Sequence, residues 1–287
     1  PLLEAAVREG IEPHPGAKDL INSAVTTGSA IEAIGASLLE TIPERVTVKD
    51  PIERVGIFVG CTINSMIQSV GKHAVDLLQN NRVEVFVPKD QVCCGMPLIW
   101  TGHVEKVKDH LVEKNVRAFE KTGVETVLTL CSACGMMWKE DIPRLAKRVL
   151  GREPKFRVLD VTEFLVKELK NVEKLVKMNN NEKVTYHDPC HARRGMGIYR
   201  EPRSLIKQVS HVKLIEMRNP DLCCGGFLRY IEPDIARRIG MQKIEMTREV
   251  GATTLATACP LCINQLQATA RMAGLEELKV MHVIELV

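Results

Sequence analysis

No stretch of the 287 residues stays apolar for the ~18 residues that a bilayer-spanning helix needs, so no direct membrane span is expected. Neither sign of charge dominates. Lys and Arg (39) nearly balance Asp and Glu (36), and a net charge of +3 gives no electrostatic footing for nucleic acid or a polybasic membrane patch. No secretory leader is visible. The chain starts at Pro1 without an initiator Met, so residues upstream are expected. These readings place it in the cytoplasm, attached to a membrane at most through a partner subunit. Cysteine is absent from the first 50 residues.

After residue 50 cysteine is plentiful, and it is patterned. Cys61, the pair Cys93 and Cys94, and Cys131 with Cys134 form one set; Cys190, the pair Cys223 and Cys224, and Cys259 with Cys262 form another. Together they account for all ten cysteines. The flanks repeat as well. Val-Cys-Cys-Gly at 92–95 answers Leu-Cys-Cys-Gly at 222–225, and Thr-Leu-Cys-Ser-Ala-Cys at 129–134 answers Thr-Ala-Cys-Pro-Leu-Cys at 257–262. The chain is therefore an internal duplication. It divides into a helical lead-in or docking arm (1–50), a first module (51–178) and a second module (179–287).

Hydrophobic residues make up 45% of the chain, enough for two small cores, so disulfides are not needed to replace a core. Vicinal cysteines and Cys-x-x-Cys groups in a large, Lys- and Glu-rich chain read as metal ligation in a reducing compartment. Redox-active dithiols at Cys131/Cys134 or Cys259/Cys262 are the rival reading.

The lead-in is read as a helix over Leu2 to Glu9, a Pro- and Gly-rich turn at 12–16, an Ala-rich helical stretch at 17–40, and a connector at 42–52. Beyond it, apolar runs at 55–59, 83–87, 125–130 and 156–159 predict strands, and those at 184–187, 212–216, 253–257 and 279–283 repeat them. Helical spacing fills the intervals, at 64–80, 103–121, 132–150, 202–209, 232–249 and 259–273. Asp160-Val-Thr-Glu163 is a candidate capping box for a helix through Lys170. Asn179 to Asn181 mark the polar junction between modules.

The expected fold is α/β, with two tandem modules, each a small parallel sheet flanked by helices. Every cysteine group would then follow the C-terminal end of a strand, where open α/β sheets place their ligands. Three loops distant in sequence would bring five sulfurs together in each module. Structural zinc takes four ligands, and so does a cubane four-iron cluster. Five thiolates mean either a spare cysteine or an unusual iron–sulfur species. Gly95, Gly225 and Gly226, next to the cysteine pairs, would let backbone approach a bulky cofactor or adopt positive φ. Trp100, Trp138, Met136 and Met137 are expected to pack the core or shield the site from water.

This cysteine pattern, over residues 55–287, resembles the CCG domain, the cysteine-rich domain of heterodisulfide reductases and related iron–sulfur subunits. The resemblance implies that Cys61, Cys93, Cys94, Cys131 and Cys134 hold one noncubane four-iron cluster, and that Cys190, Cys223, Cys224, Cys259 and Cys262 hold a second. It implies reduction of the coenzyme M–coenzyme B heterodisulfide, each cluster handling one of two electrons. An electron-donating iron–sulfur, flavin or cytochrome subunit is the implied partner. The lead-in is similar to that of D-type subunits or of the B subunit of thiol:fumarate reductases, in which a ferredoxin domain precedes the repeat. No Cys-x-x-Cys-x-x-Cys-x-x-x-Cys run exists here, so that domain is absent or lies before Pro1. Around the sulfurs, His191 and His187 are candidate proton donors. Arg193, Arg194 and Lys139 are candidate binders of the substrate's anionic groups. An electron-relay subunit of a flavin dehydrogenase and a zinc-bearing assembly protein are the alternatives.

Overall fold

The computed structural model describes residues 36–169, Val172 and residues 182–287. The helix expected at Leu2 to Glu9, the turn at 12–16, most of the Ala-rich stretch, Lys170 and the Asn179–Asn181 junction lie outside these residues.

All eight expected strands form, within a few residues of their apolar runs. The first sheet holds β1 (Arg45–Val46), β2 (Glu53–Phe58), β3 (Val83–Phe86), β4 (Thr126–Thr129) and β5 (Arg157–Asp160) in the order β1-β3-β2-β4-β5. The second holds β6 (Glu182–Tyr186), β7 (Val212–Leu214), β8 (Thr254–Thr257) and β9 (Lys279–His282) in the order β7-β6-β8-β9. Every pairing is parallel except β1 with β3. The central strands are buried on both faces, which is why they read as continuous apolar runs rather than alternation: β4 and β8 have no exposed residue.

The connector at 42–52 differs from expectation, because β1 forms within it. Two residues show no periodicity, so nothing in the sequence marks a strand there. Arg45 places its guanidinium 2.8 Å from the carboxylate of Glu84 on β3, and Arg54 reaches the other oxygen at 3.0 Å. The helix expected at 64–80 also divides. A first turn, Cys61–Ser65, ends where Ile67 (φ −130°, ψ 59°) leaves helical geometry, and Gln68–Asn80 follows. The capping box forms as read: Asp160 accepts from the Thr162 amide at 2.9 Å, and Glu163 accepts from the Asp160 amide at 3.2 Å.

The two modules share their interior. One apolar cluster joins Leu38 of the lead-in and Val83 and Val85 of the first module to Tyr186, Leu205, Val283 and Leu286 of the second. The Ser132 hydroxyl donates to the Ala258 carbonyl across the seam at 2.8 Å, and the Ser132 amide donates to the same oxygen at 3.2 Å. Cys131 and Cys259 adjoin the two residues that close this seam, so the strand ends that carry the cysteines face each other. Among the described residues no helix is long and apolar enough to cross a membrane.

Candidate metal centre

Each cysteine lies just beyond a parallel strand. β2, β3 and β4 lead into Cys61, Cys93–Cys94 and Cys131; β6, β7 and β8 lead into Cys190, Cys223–Cys224 and Cys259. The short helices that follow set the remaining spacing. Cys131 and Cys259 stand at matching N-caps, with φ near −140° in both, and Cys134 and Cys262 come on the first turn of each helix.

The ten thiols form one continuous line of contacts. Cys61 Sγ lies 3.9 Å from Cys93 Sγ. The line runs on through Cys94 and Cys134 to Cys131. Cys131 meets Cys259 across the module seam. From Cys259 the line continues to Cys262, whose Sγ is 3.2 Å from that of Cys224, then to Cys223 and Cys190. The order reads the same from either end: single cysteine, pair, Cys-x-x-Cys, seam, and the reverse.

All ten are thiols, six of them buried. Their surroundings oppose ten bare thiolates at once: hydrogen bonds from neighbouring thiols hold Cys94, Cys223 and Cys259 low, and the other thiols are raised in turn. The hydrogen bond from Cys93 and burial push Cys61 well above the usual thiol range, and the contact with Cys223 and burial do the same to Cys190. Cys134 and Cys262 are raised by their cysteine neighbours, then by burial. Such a set loses its protons together only when cations take their place. Soft sulfur donors select thiophilic metals and iron–sulfur groups. Five per set exceed the four of structural zinc.

Glycines keep the sulfurs clear. Gly60 has φ +71°, and a Cβ there would come within 3.2 Å of Cys134 Sγ. Gly226 would bring a Cβ within 3.2 Å of Cys224 Sγ, and its amide donates to that sulfur at 3.3 Å. Gly95 and Gly225 take φ +87° and +81°, and their amides approach Cys93 and Cys223, each at 3.4 Å.

His187 is fully buried, and its Nδ1 donates to the Pro220 carbonyl at 3.2 Å. Burial pulls its pKa down to about 4, so at neutral pH the ring is uncharged and its other nitrogen is an acceptor. His187, Cys224 and Cys262 offer donor atoms that all lie within 4.8 Å of one another. This arrangement suits a brace or an additional ligand better than a proton donor. His191 is only partly buried. Its Nδ1 is 3.7 Å from Cys190 Sγ, and its ring stacks on Trp100 of the first module at 5.0 Å. Trp138 is a core residue, edge-on to Phe58 at 5.3 Å, and Met137 is buried beside it.

The basic candidates divide. Arg193 donates to Asp188 at 2.8 Å and lies over the Tyr199 ring, so its guanidinium is committed to the fold. Lys139 is ion-paired with Glu163 at 2.5 Å. Arg194 is exposed, donating one hydrogen bond to the Asp221 carbonyl at 3.0 Å.

Asp188 was not singled out by sequence reasoning, which saw only one acidic residue two positions before Cys190. It is fully buried and accepts from Arg193 and, through both oxygens, from Arg203 at 2.7 and 3.0 Å. Removing one member of a buried ion pair strands the others' charge. Asp188→Ala is therefore expected to cost about 3–5 kcal/mol, read as a lowered midpoint in anaerobic urea unfolding.

The cysteine-rich domain CCG matches residues 55–139 and 184–267. The B-type subunit of the fumarate reductase (CoM/CoB) of Methanothermobacter marburgensis is 36% identical, over 98% of this chain and 54% of its own length. The D-type subunit of the dihydromethanophenazine:CoB–CoM heterodisulfide reductase of Methanosarcina barkeri is 33% identical, over 87% of this chain and 61% of its own. The probable glycolate oxidase iron–sulfur subunit of Bacillus subtilis is 28% identical, over 82% of this chain and 54% of its own. The chain thus spans little more than half the length of these relatives.

Proposed function

Because the chain belongs to the family of the CCG cysteine-rich domain, we propose that it is an iron–sulfur oxidoreductase subunit that reduces the coenzyme M–coenzyme B heterodisulfide to two thiols, or runs the reverse oxidation. The observation that carries this reading is the seam between the two five-cysteine sets, closed at 2.8 and 3.2 Å by Ser132 and Ala258, the neighbours of Cys131 and Cys259. A disulfide has two sulfurs and needs two electrons and two protons to become two thiols. Two equivalent sulfur-rich sites on either side of one seam match that stoichiometry.

The residues fit the group. Cys61, Cys93, Cys94, Cys131 and Cys134 would hold one noncubane four-iron cluster, and Cys190, Cys223, Cys224, Cys259 and Cys262 the other. When bound, each cluster would supply one of the two electrons. Gly60 and Gly226 keep side chains out of the space beside the sulfurs, and Gly95 and Gly225 supply the positive φ of the loops that carry the cysteine pairs. His191, against Cys190 and partly open to solvent, relays protons to the departing thiolate, and burial lowers its pKa. Trp100 fixes the plane of its ring. Arg194 offers an exposed guanidinium to the anionic groups of the substrate, while Arg193 and His187 hold the Cys190 loop in place. Electrons arrive from a partner iron–sulfur, flavin or cytochrome subunit.

The test is turnover of the heterodisulfide by anaerobic protein with a reduced viologen as one-electron donor. Stoichiometric release of two thiols is expected. The Bacillus relative favours a second reading, a relay subunit of a flavin dehydrogenase. That reading predicts dye-linked electron transfer with no thiol release.

A further inference from the structure

The two modules repeat each other in sulfur but not in charge. The helix before β4 and the helix before β8 occupy equivalent places, and both send one fully buried polar side chain to the loop that carries the cysteine pair. In the first module it is Asn115, which accepts from the Val92 amide at 2.8 Å and donates to the Cys93 carbonyl at 3.0 Å. In the second it is Lys243, whose Nζ donates to the Asn219 carbonyl at 2.8 Å and to the Pro220 carbonyl at 3.2 Å. The mechanical task is the same. A neutral amide performs it in one module and an ammonium in the other.

That ammonium has 0% exposure, and among the described residues no carboxylate is in ion-pair contact with it. The nearby acids are engaged elsewhere: Asp188 by Arg193 and Arg203, and Asp221, at 3.8 Å, by Arg193. Burial lowers Lys243 to about 8. The Pro220 carbonyl that Lys243 bonds also accepts from His187, whose ring shares a 4.8 Å cluster of donor atoms with Cys224 and Cys262, so the ammonium stands beside the second sulfur set. A second difference points the same way. The matching turns after β5 and β9 are capped by Asp160 in the first module and by His282 in the second. The first module also has Phe58 where the second has His187, and packs Phe58 against Phe119 and Trp138.

We propose that Lys243 makes the two iron–sulfur sites unequal, raising the reduction potential of the site held by Cys190, Cys223, Cys224, Cys259 and Cys262, so that the first electron from a one-electron donor resides there and the second goes to the Cys61 set. This rests on the reading that both sets hold iron–sulfur clusters. The physical cause is electrostatic. Adding an electron adds one negative charge, and a buried ammonium stabilises that charge far more than a neutral amide does. Each site gains one electron, two in all, as reduction of one disulfide requires.

The experiment is an anaerobic redox titration with viologen mediators, followed by electron paramagnetic resonance, on wild type, Cys224→Ala, Lys243→Gln and Lys243→Arg, with iron measured on each sample. Wild type should reduce in two separate steps, and Cys224→Ala should retain only the step at lower potential. Lys243→Gln should shift the upper step down and leave the lower one in place, whereas Lys243→Arg should keep the steps apart. A surviving upper step in Cys224→Ala overturns the proposal, even if Lys243→Gln fails to assemble its second site. Unchanged steps in an iron-replete Lys243→Gln overturn it too. Wild-type protein without iron would sink the underlying reading instead, a result that the iron assay distinguishes.

Discussion

Cys224→Ala is expected to retain roughly half the iron and to reduce the heterodisulfide at least about 10³-fold more slowly, a loss of ~4 kcal/mol or more in transition-state stabilisation. Cys224 is buried, with its sulfur 3.2 Å from that of Cys262. Its loss breaks the line of thiols in the second module and leaves the first module's line untouched. The Cys61 set sits on a separate sheet, so that half should still assemble and accept one electron. One electron cannot cleave a disulfide into two thiols. Iron content and thiol release measured on one sample check this, and near-wild-type turnover with half the iron would favour the relay reading.

Gly225→Ala should do comparable damage without touching a sulfur. Gly225 has φ +81°, and a Cβ there would lie 2.8 Å from the Ala236 carbonyl oxygen and 3.1 Å from its Cα. Those are backbone atoms and cannot rotate away. The left-handed conformation alone costs a non-glycine residue about 1–3 kcal/mol, so the loop must move. Cys223 and Cys224 ride on that loop, and the Gly225 and Gly226 amides point at their sulfurs. Iron is expected to fall to roughly half and turnover by at least about 10²-fold, ~3 kcal/mol. Gly95→Ala provides the contrast. Its φ of +87° carries the same strain, but its Cβ would meet the side chain of Val107 at 2.6 Å, which a rotamer change can relieve. Iron analysis of the two variants should therefore show Gly95→Ala the milder; equal loss would mean that the Ala236 contact is not what fixes the second loop.

The features that were legible share a cause: each was written locally. Strands with buried residues leave short apolar runs, most continuous in β4 and β8, and a capping box is four consecutive residues, so β2 to β9 and the Asp160–Glu163 cap could be read directly. The cysteine sets were legible because the duplication displays them twice. What escaped depends on contacts distant in sequence. β1 forms because Arg45 and Arg54 reach a buried glutamate on β3, and two residues hold no pattern. Arg193 has the look of a free guanidinium beside a cysteine until Asp188 is seen to hold it. Lys243 lies on a helix whose other buried residues include Ala236, Gly240 and Ile244. Its place on that face was the one available signal, and only the three-dimensional match with Asn115 gives it meaning.

The most direct test of the central claim is to assay iron, acid-labile sulfide and zinc together in protein prepared and kept without oxygen. Two complete five-thiolate sets predict about eight irons per chain, with matching sulfide and no stoichiometric zinc. Stoichiometric zinc with no acid-labile sulfide would contradict the account.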